Sequence, residues 1–142
     1  MTVVKTLLES KGSDIWSVSP DASVYDAIRL MAEKEVGALL VLRDGALVGI
    51  VSERDYARKV VLKGRSSKST PVSEVMTARV AYARPDQSVD ECMAMMTEKR
   101  VRHLPVMDGD RLLGVVSIGD LVKSIIAEQQ DTIRQLEQYI SG

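Results

Sequence analysis

The sequence predicts an α+β fold: two βαββα repeats packed sheet to sheet with pseudo-twofold symmetry, followed by a long C-terminal helix. Three observations predict it. A block of sequence recurs at a fixed offset. The same order of hydrophobic periods appears in both copies. Each copy is too small to cover both faces of its own sheet.

The repeat has a spacing of about 65 residues. Pro20-Asp21-Ala22-Ser23-Val24 returns as Pro85-Asp86-Gln87-Ser88-Val89, and Met31-Ala32-Glu33-Lys34-Glu35-Val36 as Met96-Thr97-Glu98-Lys99-Arg100-Val101. Leu47-Val48-Gly49-Ile50-Val51-Ser52 returns as Leu112-Leu113-Gly114-Val115-Val116-Ser117, and Asp55 as Asp120. The register holds without a gap over about 40 residues with about 15 identities, and two copies indicate a pseudo-symmetric pair rather than a solenoid.

Within each copy, Trp16 and Val18, or Val80 and Tyr82, alternate as a short first strand ahead of Pro20 or Pro85. Ser23 and Ser88 stand where an N-cap belongs. Val24, Ala27, Ile28 and Met31 then form one apolar helical stripe, and Val89, Cys92, Met93 and Met96 the other. The run Gly37-Ala38-Leu39-Leu40-Val41-Leu42 reads as a strand. Arg43-Asp44-Gly45 reads as a hairpin turn into a strand from Ala46 to Ser52, with Asp108-Gly109-Asp110 as its counterpart. A second helix begins near Ser52 and again near Ser117. The expected division is 1–62 for the first repeat with its N-terminal segment, 63–75 for a linker, and 76–142 for the second repeat with its C-terminal helix. The polar stretch Lys63–Pro71 is expected to run over the surface.

With 142 residues, 45% apolar and 27% charged, the chain has an ordinary globular composition and enough length for a core. A net charge of −1 gives no general attraction for nucleic acid, and no apolar run approaches the roughly 18–20 residues that span a bilayer. The single cysteine excludes an intramolecular disulfide framework, and no secretory pattern opens the chain, so a cytoplasmic protein is expected. One histidine, His103, beside a distant Cys92 gives no metal constellation and no catalytic group. His103 reads as a structural or rim residue and Cys92 as a small buried hydrophobe. No Gly-rich phosphate loop is present.

Ser52-x-x-Asp55 and Ser117-x-x-Asp120 each sit at a strand-to-helix junction. Unpaired N–H groups there welcome a phosphate, and the aspartate can accept the two hydroxyls of a cis-diol. The same pattern is also a plain helix cap. Spacing alone leaves both readings open.

Gly49-Ile50-Val51-Ser52-Glu53-Arg54-Asp55, Gly114-Val115-Val116-Ser117-Ile118-Gly119-Asp120 and Val101-Arg102-His103-Leu104-Pro105-Val106 resemble the signature of CBS domains, named after cystathionine β-synthase. The likeness runs from about Lys5 to Ile126 and is that of a stand-alone CBS pair, or Bateman module. Ser52–Tyr56 with Gly64–Lys68 is similar to a subgroup found in bacteria and plant organelles. The resemblance implies an adenosine-type ligand (AMP, ATP, NAD(H) or S-adenosylmethionine) in the cleft between repeats, with no cofactor and no catalysis. It implies that the module senses energy or redox state and modulates a partner enzyme.

Carried over residue by residue, the resemblance implies one site from Ser117, Asp120 and Arg102, flanked by Val115, with the base on Ile15, Trp16, Val36 and Gly37. Gly37 replaces the basic residue found at Arg102, so the second site is expected to be unequal. It would use Ser52, Arg54 and Asp55, with Ala81, Tyr82 and Val101 beneath the base. Trp16 can equally be core or dimer packing, and Arg54 a solvated side chain. Lys59, Lys63, Arg65 and Lys68 either meet further phosphates or form a solvated helix end. The last helix carries Leu121, Ile125, Ile133, Leu136 and Ile140, an apolar edge that can pack on Thr2–Leu8 or on a second copy. The resemblance implies a C2 homodimer. The competing reading is a constitutive dimeric interaction module with no physiological ligand.

Overall fold

The computed structural model describes residues 2–12 and 14–141. Met1, Ser13 and Gly142, which the expected domain spans include, lie outside it. The chain divides into two compact units: Ile15–Val80, and the chain up to Asp14 joined with the chain from Ala81 onward.

In the first unit, β1 (Ser17–Val18) lies parallel to β2 (Ala38–Arg43), which pairs antiparallel with β3 (Ala46–Ser52). β2 is the central strand, and Leu39, Leu40 and Val41 are buried in succession, as a strand covered on both faces requires. Asp44 (φ 52°) and Gly45 (φ 81°) both take positive φ, the two-residue turn whose twist matches a hairpin. Helix α2 (Val24–Lys34) starts where Ser23 Oγ accepts the Asp26 N–H at 3.1 Å, as the N-cap reading expects. It buries Val24, Ala27 and Met31. After β3 come α3 (Glu53–Tyr56), a π-helical turn over Ala57–Val61 and a 3-10 turn over Val72–Glu74.

The second unit repeats the plan with α4 (Val89–Lys99), β4 (His103–Asp108), β5 (Arg111–Ser117) and α5 (Ile118–Ser141). Ser88 caps α4 in a capping box with Glu91, and Val89, Cys92 and Met96 are buried. A register shift interrupts both hairpins at matching places, between Val41 and Leu42 and between Val106 and Met107. Burial raises the Cys92 thiol to about 11, helped by the nearby Glu91 charge, so this cysteine is an inert core residue.

Two expectations are corrected. The stretch Val80–Tyr82 forms no strand. Its place is taken by a single parallel bridge from Ala83 to Val106, because only Ala83 reaches the β4 ladder before Pro85 ends it. The segment boundaries also differ. Each unit is completed by the segment that precedes the other repeat. Thr70 accepts from Val24 N, Val72 N donates to Ala22 O and Ser73 N to Pro20 O (2.8–3.0 Å). The second unit repeats this with the N-terminal segment: Val89 N donates to Thr2 O, Val4 N to Gln87 O and Lys5 N to Pro85 O (2.9–3.0 Å). Helix α1 (Val4–Lys11) therefore supplies Val4, Leu7 and Leu8 to the core that holds Val116 and Leu121. The Lys63–Pro71 stretch is largely exposed, but Thr70 is buried, and Val72 and Val75 join the first unit's core.

Candidate functional site: the strand-end aspartates

Each unit builds the same junction. The last residue of the second hairpin strand is a serine, and the aspartate three residues on closes over it. In the second unit Ser117 N donates to Asp120 Oδ2 at 2.8 Å, and Asp120 N donates to Ser117 Oγ at 3.2 Å. In the first, Ser52 N donates to Asp55 Oδ2 at 2.9 Å, Ser52 Oγ donates to the same oxygen at 3.1 Å, and Asp55 N donates to Ser52 Oγ at 3.2 Å. The capping alternative is thus realised at both places: each carboxylate satisfies the N–H of its own cap. A further bond anchors each junction to the loop after the preceding helix. Ile118 N donates to Arg102 O at 2.9 Å, and Glu53 N to Gly37 O at 3.0 Å.

Both aspartates also hold a lysine. Lys11, the last residue of α1, places Nζ 2.7 Å from Asp120 Oδ2 and donates to Val115 O at 2.8 Å. Lys59 places Nζ 3.1 Å from Asp55 Oδ1 and donates to Val75 O at 2.8 Å. The two carboxylates differ in consequence. At Asp55 both oxygens are engaged. At Asp120 the bonds from Lys11 Nζ and Ser117 N both land on Oδ2. Burial on its own raises Asp120. The hydrogen bond and charge of Lys11, with the Ser117 bonds, outweigh it and hold the carboxyl below its usual range. His103 pairs with Ser117 across the β4–β5 ladder, on the same face. Burial lowers its pKa. Asp120 pulls it up, and Lys11 and Arg102 push it down.

The structure sorts the expected ligand contacts by unit. Ile15, Trp16, Val36, Gly37, Ser52, Arg54 and Asp55 lie in the first unit, and Ala81, Tyr82, Val101, Arg102, Val115, Ser117 and Asp120 in the second. Val36 packs on the first core, and Ala81 and Val101 on the second, while Tyr82 and Arg102 are exposed. Trp16 is partly exposed, with the Lys34 ammonium 4.5 Å from its ring centroid, a cation–π contact. Of the cluster proposed for further phosphates, Lys59 is tied to Asp55, Arg65 is paired with Glu74, and Lys68 lies over Tyr25 at 5.0 Å. Three of the four cations expected to meet further phosphates or form a solvated helix end and loop thus have local partners.

Sequence reasoning missed both lysines as partners of the aspartates. Asp55 and Lys59 stand at i,i+4, a spacing that could have signalled the pair. Nothing local links Lys11 to Asp120. Among the described residues, no cluster of three or more His, Cys, Asp or Glu could hold a metal ion, and no helix is long and apolar enough to cross a membrane. A carboxylate pinned at a strand end beside an ammonium is suited to accepting hydroxyls of a diol while a phosphate meets the cation.

The CBS domain family matches residues 10–62 and 72–127. A mitochondrial CBS domain-containing protein of Arabidopsis thaliana, CBSX3, is 39% identical over 99% of this chain and 73% of its own length. The solved structure of a protein with CBS domains from Burkholderia ambifaria MC40-6 superposes with a TM-score of 0.88 at 60% identity, covering 90% of this chain and 96% of that one. The same fold, at 24% identity and a TM-score of 0.80 over 90% of this chain and 98% of the other, is found in the CBS domain pair of protein MJ0100, solved with 5′-methylthioadenosine and S-adenosyl-L-methionine. With both repeats matched and the whole architecture shared, this chain belongs to the CBS domain family.

Proposed function

We propose that the chain is a regulatory module that binds an adenosine-type nucleotide, of the AMP, ATP or NAD(H) kind, and passes energy or redox state to a partner protein. Asp120 accepts the ribose hydroxyls, and Lys11 and Arg102 meet phosphate. Ile15, Trp16, Val36 and Gly37, and on the other unit Ala81, Tyr82 and Val101, offer apolar or aromatic surface to an adenine. The observation that carries this reading is the pinned Asp120 carboxylate with an ammonium at 2.7 Å, the pair of chemistries a ribose phosphate presents in complement. The stronger site is the one at Ser117. Arg102 stands beside that junction, where the first unit has Gly37. The adenosine-containing ligands of MJ0100 are in keeping with the reading. No catalytic role is assigned to any residue. The module acts as a homodimer in the cytoplasm or an organelle.

A second reading, a constitutive interaction module, draws on Asp55, whose two oxygens are both already engaged. Thermal-shift measurements with AMP, ATP, NADH and S-adenosylmethionine separate the two. Stabilisation by any of them that grows with ligand concentration and is lost in Asp120→Ala supports the sensor. A flat response to all four favours the constitutive module.

A further inference from the structure

Helix α5 changes partners along its length. Leu121 is fully buried, and Ile125 packs on the core beside α1, as the expected packing against the N-terminal segment requires. From Ile126 to Ser141 every residue is exposed. That exposed length is not polar throughout. Ile126, Ile133, Leu136 and Ile140 are 48%, 54%, 57% and 83% exposed, and Val122 at the edge of the core is 40% exposed. At about 100° per residue, these five fall within about 40° of a single line along the helix. A helical end of this length that packs on nothing is marginal in water, so the stripe needs a cover.

The stripe itself indicates the cover. Its spacing is a heptad: Val122 at d, Ile126 at a, Gln129 at d, Ile133 at a, Leu136 at d and Ile140 at a. Isoleucine at all three a positions, with Leu136 at d, favours two parallel strands, and Gln129 is the one polar residue in the seam. The flanks tolerate self-pairing. In a parallel pair the g positions, Ile125, Thr132 and Tyr139, face the e positions, Lys123, Gln130 and Glu137, so no like charges meet. The charged Arg134 and Asp131 pair with each other on the far side of the helix.

We infer that residues 122–140 of α5 pair in parallel with the same segment of a second copy, as a two-stranded coiled coil. This inference specifies a contact for the proposed homodimer and does not depend on nucleotide binding.

Site-directed cross-linking of the full chain tests it, and reads position rather than mass alone. Leu136→Cys puts a thiol at a seam position, where two parallel helices bring like residues within disulfide reach. Asp131→Cys puts one on the outer face. Buried Cys92 stays out of the reaction. Under mild oxidation at micromolar concentration, Leu136→Cys is expected to convert to a doubled species on non-reducing gels at least ten times faster than Asp131→Cys. Adding Ile133→Asp to Leu136→Cys should abolish that advantage. Equal rates at the two positions, or no doubled species from Leu136→Cys, would overturn the coiled coil.

Discussion

Lys11 Nζ lies 2.7 Å from Asp120 Oδ2, joining residues 109 apart in sequence. The contact ties the end of α1 to the first turn of α5, and under the proposed function its ammonium is the group that meets a ribose phosphate. Replacing Lys11 with Met keeps the stem and removes the charge. The pair is partly exposed, so screening limits its worth, and the loss of folding stability should be only about 0.5 kcal/mol. The effect on binding should be larger and selective. Affinity for ATP falls severalfold, whereas affinity for adenosine, which has no phosphate, holds or rises because Asp120 is released. Titration of both ligands against both proteins checks this.

Acidification should destabilise the protein in two stages. His103 has a pKa below its ordinary 6.5, so the unfolded chain takes up its proton first, and stability present above 6.5 is lost as the pH falls toward the lower folded value. Asp120 is likewise depressed from 3.8, so its contribution is present above that value and lost as the pH falls through the folded one. The melting temperature of the native chain should therefore drop between pH 7.5 and 5.5. His103→Gln should flatten this first stage and leave the one below pH 4 intact.

Gly49 is held by packing. A Cβ there would sit 2.5 Å from Met76 Sδ and 3.1 Å from the Thr77 carbonyl oxygen, in the segment that completes the first unit. The sulfur can swing aside, but the carbonyl belongs to the Ile50–Thr77 bridge and cannot. Gly49→Ala should cost about 1–2 kcal/mol in chemical denaturation.

Glu35 ends α2 in the left-handed region at φ 56°, ψ 44°, a conformation that disfavours any residue with a Cβ. Glu35→Gly should relieve this and stabilise the fold by about 0.5–1 kcal/mol, since the relief exceeds the entropy that glycine adds to the unfolded chain. A rise in denaturation midpoint with unchanged slope checks it.

The repeat made most of this fold legible. Two copies of one pattern in register placed the helices, hairpins and caps, because capping serines, apolar stripes and Asp-Gly turns act within a few residues of themselves. The exchange of the leading segments was not legible. Thr2 and Thr70 bond to the other repeat's helix through backbone atoms, which carry no residue signature. The short first strand misled for a related reason: alternation at Val80 and Tyr82 suggested pairing, but pairing depends on what lies alongside. At the candidate site, serine and aspartate could be placed from the motif. Their engagement by Lys11 and Lys59 could not, apart from the i,i+4 hint at Lys59, since ion pairing across 109 residues leaves no local pattern.

The most direct test of the nucleotide reading is calorimetric titration of AMP and ATP into the native chain, Asp120→Asn and Asp55→Asn. The carboxamide keeps the size and one acceptor of the side chain while removing its charge. Saturable heat from the native protein, weakened at least tenfold by Asp120→Asn and less by Asp55→Asn, is the predicted result. Absence of heat from the native chain with either nucleotide, or unchanged affinity in Asp120→Asn, would contradict it.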